Sequence, residues 1–487
     1  MLGGSVNAAT LYRVRFGHYP DKIRAVFDFD DGFTYESEES KDKIVLRFKD
    51  IDAGKQIESY VELNDLIVRY FEIERDGEDL KVTIPLSEPI EYNIFYLNYP
   101  PRLVVDFGRE YLNITYGGTV APGIEHLEVK KGIQSGQIKA NVLRVNLDQA
   151  SVRPALARKQ KSNLVDSFIN IIMPWTRPTA EREHFYLDKV NNIVDENGGI
   201  AGINGTFFAS TGSPLGALMI DREIVSSPIY DRTAFFLDEN NTPYIDNIFV
   251  SSYFYTANRT RYKITGINQG RGSSDTIMYT PVWGESTGTN QQGIEIVVSG
   301  SKITKINVSN SNIPQDGYVI SVSGPQVEVF SESIKVGERV DTAIKIIPYT
   351  TSPKNIVNLI SGGPRILKHG RVYVSKHEER FKMDIARGRA ARTAIGLTKD
   401  HRLLLVTVDG RPRRKKLRQK NHVSIGASLE ELSNLMISLG AVDAMNLDGG
   451  SSSTMVIKGK SINQPTAGYQ RRVSNALIVQ AKEKELK

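Results

Sequence analysis

Hydrophobic and polar positions alternate through the first hundred or so residues of the chain. Ile23-Arg-Ala-Val-Phe-Asp-Phe29 and Ile44-Val-Leu-Arg-Phe48 read as short strands, and Leu80-Lys-Val-Thr-Ile-Pro85 and Leu103-Val-Val-Asp-Phe107 continue the series. Asp76-Gly77 and Tyr99-Pro-Pro101 punctuate them, so an all-β module is predicted here. Arg24-Ala-Val-Phe-Asp28 is echoed by Arg102-Leu-Val-Val-Asp106, which suggests a sandwich with pseudo-symmetric strands.

Beyond Pro122-Gly123 the periods change. Ala140-Asn-Val-Leu-Arg-Val-Asn-Leu147 is strand-like, whereas Leu187, Val190, Ile193 and Val194 recur at helical spacing before Gly198-Gly199. Residues 240–350 are rich in Ser, Thr, Asn and Gly, with strands such as Gly293-Ile-Glu-Ile-Val-Val298, and read as a β-rich insertion. Ala394-Ile-Gly-Leu397 and Leu403-Leu-Leu-Val-Thr-Val408 have the continuous apolar character of buried strands. The clearest helix runs from Ser428 to Leu439. Ser428 and Glu431 have the spacing of a capping box, Leu429, Leu432, Leu435, Met436 and Leu439 form one stripe, and Gly440 follows. Ala444-Met-Asn-Leu447 then delivers Asp448 at a strand end. The expected fold class is α+β: a small N-terminal all-β sandwich over residues 1–117, then a large mixed-sheet domain over 118–487 carrying the insertion.

Composition narrows the chemistry. The 487 residues include no cysteine, which removes disulfides, thiolate metal sites and a thiol nucleophile. No apolar run reaches the roughly 20 residues of a membrane-spanning helix. Val6-Asn-Ala8 fits the small-residue pattern before a signal-peptidase cut, so the expectation is a secreted or envelope protein whose signal peptide has been removed; ordinary small N-terminal residues are the other reading. The net charge of +6 matters less than its distribution, because Arg411-Pro-Arg-Arg-Lys-Lys-Leu-Arg-Gln-Lys420 holds seven basic residues. Such a run reads either as a solvated loop or as a rim attracting a polyanion.

Four short apolar strands end in glycine-containing turns: Ile203-Asn204-Gly205, Val408-Asp409-Gly410, Leu447-Asp448-Gly449-Gly450 and the Gly362-Gly363 turn. Strand ends combine a rigid scaffold with solvent access, and glycine permits close approach to the backbone. If they converge, they present two carboxylates, a carboxamide and several N–H groups. Asp-Gly alone is a common turn. The run Asn446-Leu-Asp-Gly-Gly-Ser451 carries more polar residues than a turn requires. Arg392, just before a buried strand, has the chemistry to fork onto phosphate or to pair with a structural carboxylate. His369, His377, His401 and His422 form no metal or catalytic spacing, and there is no nucleophile elbow, Walker loop or dinucleotide fingerprint.

Two resemblances follow from these residues. Lys22-Ile-Arg-Ala-Val-Phe-Asp28 and Tyr99-Pro-Pro-Arg-Leu-Val-Val-Asp-Phe107 resemble the AMIN-type domains that attach bacterial envelope proteins to the cell wall. The larger segment resembles the phosphodiester glycosidase family. The runs that carry this likeness are Ile203-Asn-Gly-Thr-Phe-Phe208, Ser361-Gly-Gly-Pro-Arg365, Ala391-Arg-Thr-Ala-Ile-Gly396 and Val406-Thr-Val-Asp-Gly-Arg411. They continue, in order, with Gly426-Ala-Ser-Leu-Glu-Glu-Leu432, Asn446-Leu-Asp-Gly-Gly-Ser-Ser452 and Arg472-Val-Ser-Asn-Ala-Leu477.

The second resemblance implies cleavage of a sugar C1–O–phosphate bond. Asp448 is then the carboxylate near the anomeric carbon and Asp409 holds water or a sugar hydroxyl. Arg392 binds the phosphate, and Asn204 orients sugar or phosphate. Asn446, Ser451, Arg411 and the N–H groups of Gly363, Gly449 and Gly450 complete the binding set. No cofactor is expected, with a divalent cation left open. The basic run departs from the family pattern and points to an anionic wall polymer or phosphorylated glycan, with peptidoglycan engaged by the N-terminal module and no nucleic acid partner expected. A non-catalytic glycan-binding protein and, less well supported, a nuclease are the competing readings.

Overall fold

The computed structural model describes residues 9–63, 65–158, 185–382, 385, 388–413 and 423–482. Val6-Asn-Ala8 and residues 414–420 of the basic run lie outside the described residues. The chain is strand-rich with few helices and divides into two compact units: Met1–Tyr116 with 128–140 and 414–425, and Gly117–Leu127 with 141–413 and 426–487.

The first unit contains two five-stranded sheets. One is ordered Asp52–Ala53, Thr10–His18, Lys22–Phe29, Arg102–Gly108, Tyr92–Leu97. The other is ordered Tyr35–Glu39, Lys43–Phe48, Asp79–Pro85, Tyr70–Asp76, Tyr60–Glu62. Their inward residues meet in one core built around Phe27, Phe29, Phe48, Phe71 and Phe107, all fully buried. The two echoing sequences are antiparallel neighbours. Val104 faces Val26 and Asp106 faces Arg24, and that last pair closes a bidentate ion pair at 2.6 and 2.7 Å. The echo thus places opposite charges across from each other, a favourable cross-strand arrangement.

In the second unit, two sheets carry the ends that matter for chemistry. One includes, in order, Leu403–Val408, Arg392–Thr398, Ala441–Asn446, Arg365–Lys368 and Arg371–Val372. The other is ordered Ala150–Leu156, Asn475–Ala481, Ala201–Asn204, Met455–Ile457, Lys460–Ser461. Their inward faces share a core that includes Ile203, Ile395, Leu405, Met445, Leu447 and Leu477. A third sheet is built on the long strand Pro243–Tyr255, which pairs with Asp341–Pro348 over its outer half. Between those two strands in sequence, a further five-stranded sheet is ordered 266–267, 276–279, 317–322, 294–299, 302–307.

The helix Leu429–Ser438 forms where its pattern predicts. Ser428 accepts from the Glu431 N–H at 3.1 Å and Glu431 reaches back to the Ser428 N–H at 2.9 Å, completing the capping box. Leu429, Leu432, Leu435 and Met436 are buried, and Gly440 turns the chain away at φ +87°. The earlier helix is shorter than its apolar spacing suggests: it spans Val190–Glu196 and leaves Leu187 ahead of it. The strand before Asp448 begins three residues earlier than expected, at Ala441, and ends at Asn446.

Candidate active site

Antiparallel register brings the glycine-containing ends to one edge. Arg392 faces Val408 across one ladder and Ala394 faces Asn446 across the next. The residues just outside these pairs are Ala391, Asp409 and Leu447-Asp448. The Ser361–Pro364 turn arrives at the same edge, since Arg365 faces Met445. In the second sheet, Asn204 faces Ala476 and Ile203 faces Met455, so Asn204, Asn475 and Thr454 share an end.

Hydrogen bonds join the two sets. Asn204 is buried and its Nδ2 donates to the Asp448 carbonyl at 2.7 Å. Its Oδ1 accepts from Thr393 Oγ1 at 2.8 Å and from the Thr454 N–H at 3.1 Å. The Asp448 N–H donates to the Gly205 carbonyl at 3.3 Å. The peptide groups on both sides of the Asp448 Cα are therefore held by Asn204 and Gly205, which fixes where the carboxylate starts from. Gly205 is required there, because an added Cβ would stand 2.0 Å from Asn475 Oδ1.

The two Asp-Gly turns meet at Ala391. A Cβ on Gly410 would lie 2.7 Å from the Ala391 nitrogen, and one on Gly449 would lie 2.8 Å from its carbonyl oxygen. The same carbonyl accepts the Gly450 N–H at 2.7 Å. Asp409 and Asp448 thus sit on turns packed against a single residue. Asp409 is buried and accepts the Gln464 N–H at 2.9 Å.

Asp448 keeps a partly exposed surface, yet burial pushes its carboxyl up from 3.8 to about 6. Hydrogen bonds from Ser452 and the Gly449 N–H, and the charge of Arg471, act in the opposite direction. Arg471 also donates to Ser452 Oγ at 3.0 Å and lies over the Phe208 ring, 4.8 Å from its centroid. The result is a carboxylate able to change protonation near neutrality beside an exposed cation.

Several residues singled out from sequence have partners that change how they can act. The Arg392 guanidinium is buried and donates to three backbone carbonyls, Ala427 at 3.0 Å, Ile385 at 3.1 Å and Gly388 at 3.0 Å. These contacts suit a clamp on the neighbouring loops. The Gly363 N–H donates to the Asn446 carbonyl at 2.7 Å and the Gly450 N–H to Ala391, so only the Gly449 N–H of the three glycines faces Asp448. Asn446 donates to the Gly363 and Leu447 carbonyls at 3.0 and 2.7 Å. The serine that reaches Asp448 is Ser452, one residue beyond Ser451. Arg411 is exposed.

Arg471 escaped the sequence reading, while Ser452, Thr393 and Phe208 lie within the quoted runs without a role assigned to them. Arg471 directly precedes the Arg472-Val-Ser-Asn run, so its signal was an Arg-Arg pair whose first member went unweighed. Among the described residues, Asn446 Oδ1, Thr206 Oγ1, Ser453 Oγ, Thr454 Oγ1 and Asn475 Nδ2 are buried without a protein hydrogen-bond partner. No group of three or more His, Asp or Glu side chains forms a cation cage among those residues.

An acid raised toward neutrality, a cation and a ring of polar strand ends meet at this edge, and the segment that carries them is similar to a known family. The model of the phosphodiester glycosidase family matches residues 292–480. That segment carries Asp409, Asp448 and Arg471, and over it the chain is similar to the phosphodiester glycosidase family.

Curated relatives match over parts of the chain. A prophage-derived uncharacterized protein of Bacillus subtilis is 36% identical over 88 residues, covering 18% of this chain and 12% of that protein. The N-acetylglucosamine-1-phosphodiester alpha-N-acetylglucosaminidase of Bos taurus is 28% identical over 143 residues, with 25% of this chain and 24% of that enzyme covered. The enzyme of the same name from Mus musculus is 26% identical over 190 residues, 34% of each chain. The chain therefore spans about a third or less of the curated relatives it matches. Among solved structures, a hypothetical protein from Synechocystis superposes with a TM-score of 0.62 at 23% identity, covering 98% of this chain and 81% of that one. It shares the fold.

Proposed function

We propose that the protein hydrolyses sugar-1-phosphodiesters at the Asp448 site. The observation that carries this reading is the Asp448 carboxyl, pushed up to about 6 and flanked by Ser452, the Gly449 N–H and Arg471. In the reaction the C1–O bond breaks and its electron pair leaves on the phosphate oxygen. The anomeric carbon becomes oxocarbenium-like, and water supplies the new C1–O bond. A carboxylate beside that carbon stabilises the developing positive charge. The departing phosphomonoester is a weak base, so it needs cationic and N–H donors more than a strong acid.

Asp448 takes the place beside the anomeric carbon, and Asp409 holds the water or a sugar hydroxyl. Arg471 replaces Arg392 as the phosphate-facing cation, because it is exposed beside Asp448 while Arg392 is committed to carbonyls. Asn204 acts through Asp448 by holding its backbone.

The substrate class we favour is a phosphorylated glycan or teichoic-acid-like wall polymer outside the cytoplasm, with the N-terminal sandwich as the wall-attachment module. The basic run after Asp409 supports an anionic polymer, and the AMIN-like strand motifs support a wall location. No helix among the described residues is long and apolar enough to cross a membrane. A Burkholderia pseudomallei protein named as exported shares the fold at 16% identity and TM-score 0.56 over 92% of this chain and 96% of that one. The test is an assay with the methyl phosphodiester of N-acetylglucosamine-1-phosphate beside a p-nitrophenyl glycoside and bis-p-nitrophenyl phosphate, with and without chelator. Turnover of the first alone supports the reading; turnover of the bis-aryl phosphate alone overturns it.

A further inference from the structure

A cavity of about 520 Å³, within the range typical of small-ligand pockets, is lined by residues outside the Asp448 site. Its wall includes Glu379, which is buried and bonded to the Thr233 N–H at 3.0 Å, Thr233 Oγ1 at 2.6 Å and the Arg365 N–H at 2.9 Å. Gly363 stands between this residue and the Asp448 strand end. A Cβ on Gly363 would meet Glu379 Oε2 at 2.5 Å, while its N–H bonds to the Asn446 carbonyl.

Three tyrosines on the cavity wall are strongly exposed: Tyr230 at 42%, Tyr349 at 59% and Tyr373 at 40%. Each has a fixed neighbour. Arg380 lies over Tyr230 at 5.0 Å from the ring centroid and Lys368 over Tyr373 at 5.7 Å. Tyr349 donates its hydroxyl to Asp231 at 2.5 Å. Rings held in this way lose little freedom when a ligand stacks on them.

The charge on the wall decides the ligand class. Of the four carboxylates in the wall, Asp246 and Glu379 are buried and hydrogen-bonded within the protein, Asp246 also lying 3.7 Å from the Arg365 guanidinium, which leaves Asp231 and Glu378 beside Lys368 and Arg380. These charges balance, so the wall offers a phosphate no net attraction, whereas uncharged hydroxyls find both carboxylate acceptors and cationic donors. We infer that this tyrosine-lined cavity is a binding site for a neutral saccharide, holding a sugar unit of the substrate away from the phosphodiester being cleaved. The inference rests on the glycosidase reading for its biological use, but saccharide binding is measurable without turnover.

The experiment is calorimetric and saturation-transfer NMR titration of the full chain with N,N′-diacetylchitobiose, maltose and cellobiose. Wild type, Asp448→Asn, Tyr373→Ala and the Tyr230→Ala/Tyr373→Ala double variant are compared, with circular dichroism confirming the fold of each. At least one saccharide is expected to bind, with affinity within about twofold in Asp448→Asn. Tyr373→Ala is expected to weaken binding about fivefold and the double variant at least about tenfold, a loss on the scale of an aromatic contact. The single variant keeps the test usable if the double variant unfolds.

Binding by none of the three, equal binding by the tyrosine variants, or competition by inorganic phosphate would overturn the assignment. Turnover of a sugar-1-phosphodiester without saccharide binding at the tyrosines removes the pocket and leaves the catalytic reading intact. Binding without turnover does the reverse.

Discussion

The side-chain amide of Asn204 donates to the main-chain carbonyl of Asp448 across 2.7 Å, joining residues 244 positions apart in sequence. The same amide's oxygen accepts from Thr393 and Thr454. One buried carboxamide therefore ties three strand ends to the proposed catalytic turn. Asn204→Ala removes all three bonds and leaves Thr393 Oγ1 and the Thr454 N–H in need of partners. A loss on the order of 3 kcal/mol is expected in denaturant unfolding, since orphaned buried polar groups cost about 1–3 kcal/mol each and some relaxation follows. Asn204→Asp sets a carboxyl oxygen against the Asp448 carbonyl, so it either holds a proton and keeps the bond or ionises and loses stability, and its turnover should fall as pH rises.

The protonation of Asp448 sets a pH dependence in activity. With its carboxyl raised to about 6, a reaction needing the carboxylate loses kcat/KM about tenfold per pH unit below that value. Arg471 lowers the Asp448 carboxyl pKa, so Arg471→Gln moves the acid limb to higher pH. It also raises KM if the cation meets phosphate. A pH–rate series on both proteins checks the shift and the KM change together.

The same shift has a sign in stability. Between about pH 4 and 6 the folded protein holds a proton that the unfolded chain has released, so this group's contribution to stability falls as pH rises through that window. Asp448→Asn carries no such ionisation penalty. It is expected to melt higher than wild type at pH 7, by an amount on the order of 2 kcal/mol, with the difference closing near pH 4. Thermal melts at the two pH values measure it.

Arg392 gives a contrasting outcome. Its three carbonyl partners make Arg392→Gln destabilising, by roughly 2–4 kcal/mol for a buried charged donor set. The KM of the fraction that remains folded should change less than in Arg471→Gln. A large KM rise in Arg392→Gln without loss of stability would restore it as the phosphate ligand.

The legible parts of the fold were those with local causes. The Ser428–Glu431 box and the Leu429–Met436 stripe specify their helix without help from distant residues. The Asp448 turn was legible because it holds more polar and glycine residues than a turn requires. Side-chain partners were not legible. Nothing adjacent to Arg392 announces that it will be buried against Ala427, 35 positions on, nor that Ser452 rather than Ser451 will face Asp448. Arg471 reaches Asp448 through pairing of the Asn475–Ala481 strand with Ala201–Asn204, a long-range register that local periodicity does not contain. The cavity tyrosines come from three separate segments, near positions 230, 349 and 373, so no single stretch displays them.

The central claim, that this site breaks a sugar C1–O bond, is tested most directly by turnover in ¹⁸O-labelled water with the methyl phosphodiester of N-acetylglucosamine-1-phosphate. The expected result is label at C1 of the released sugar, unlabelled methyl phosphate, and a rate lowered by about a thousandfold or more in Asp448→Asn while its circular dichroism is unchanged. Label in the phosphate, or near-normal turnover by Asp448→Asn, would contradict it.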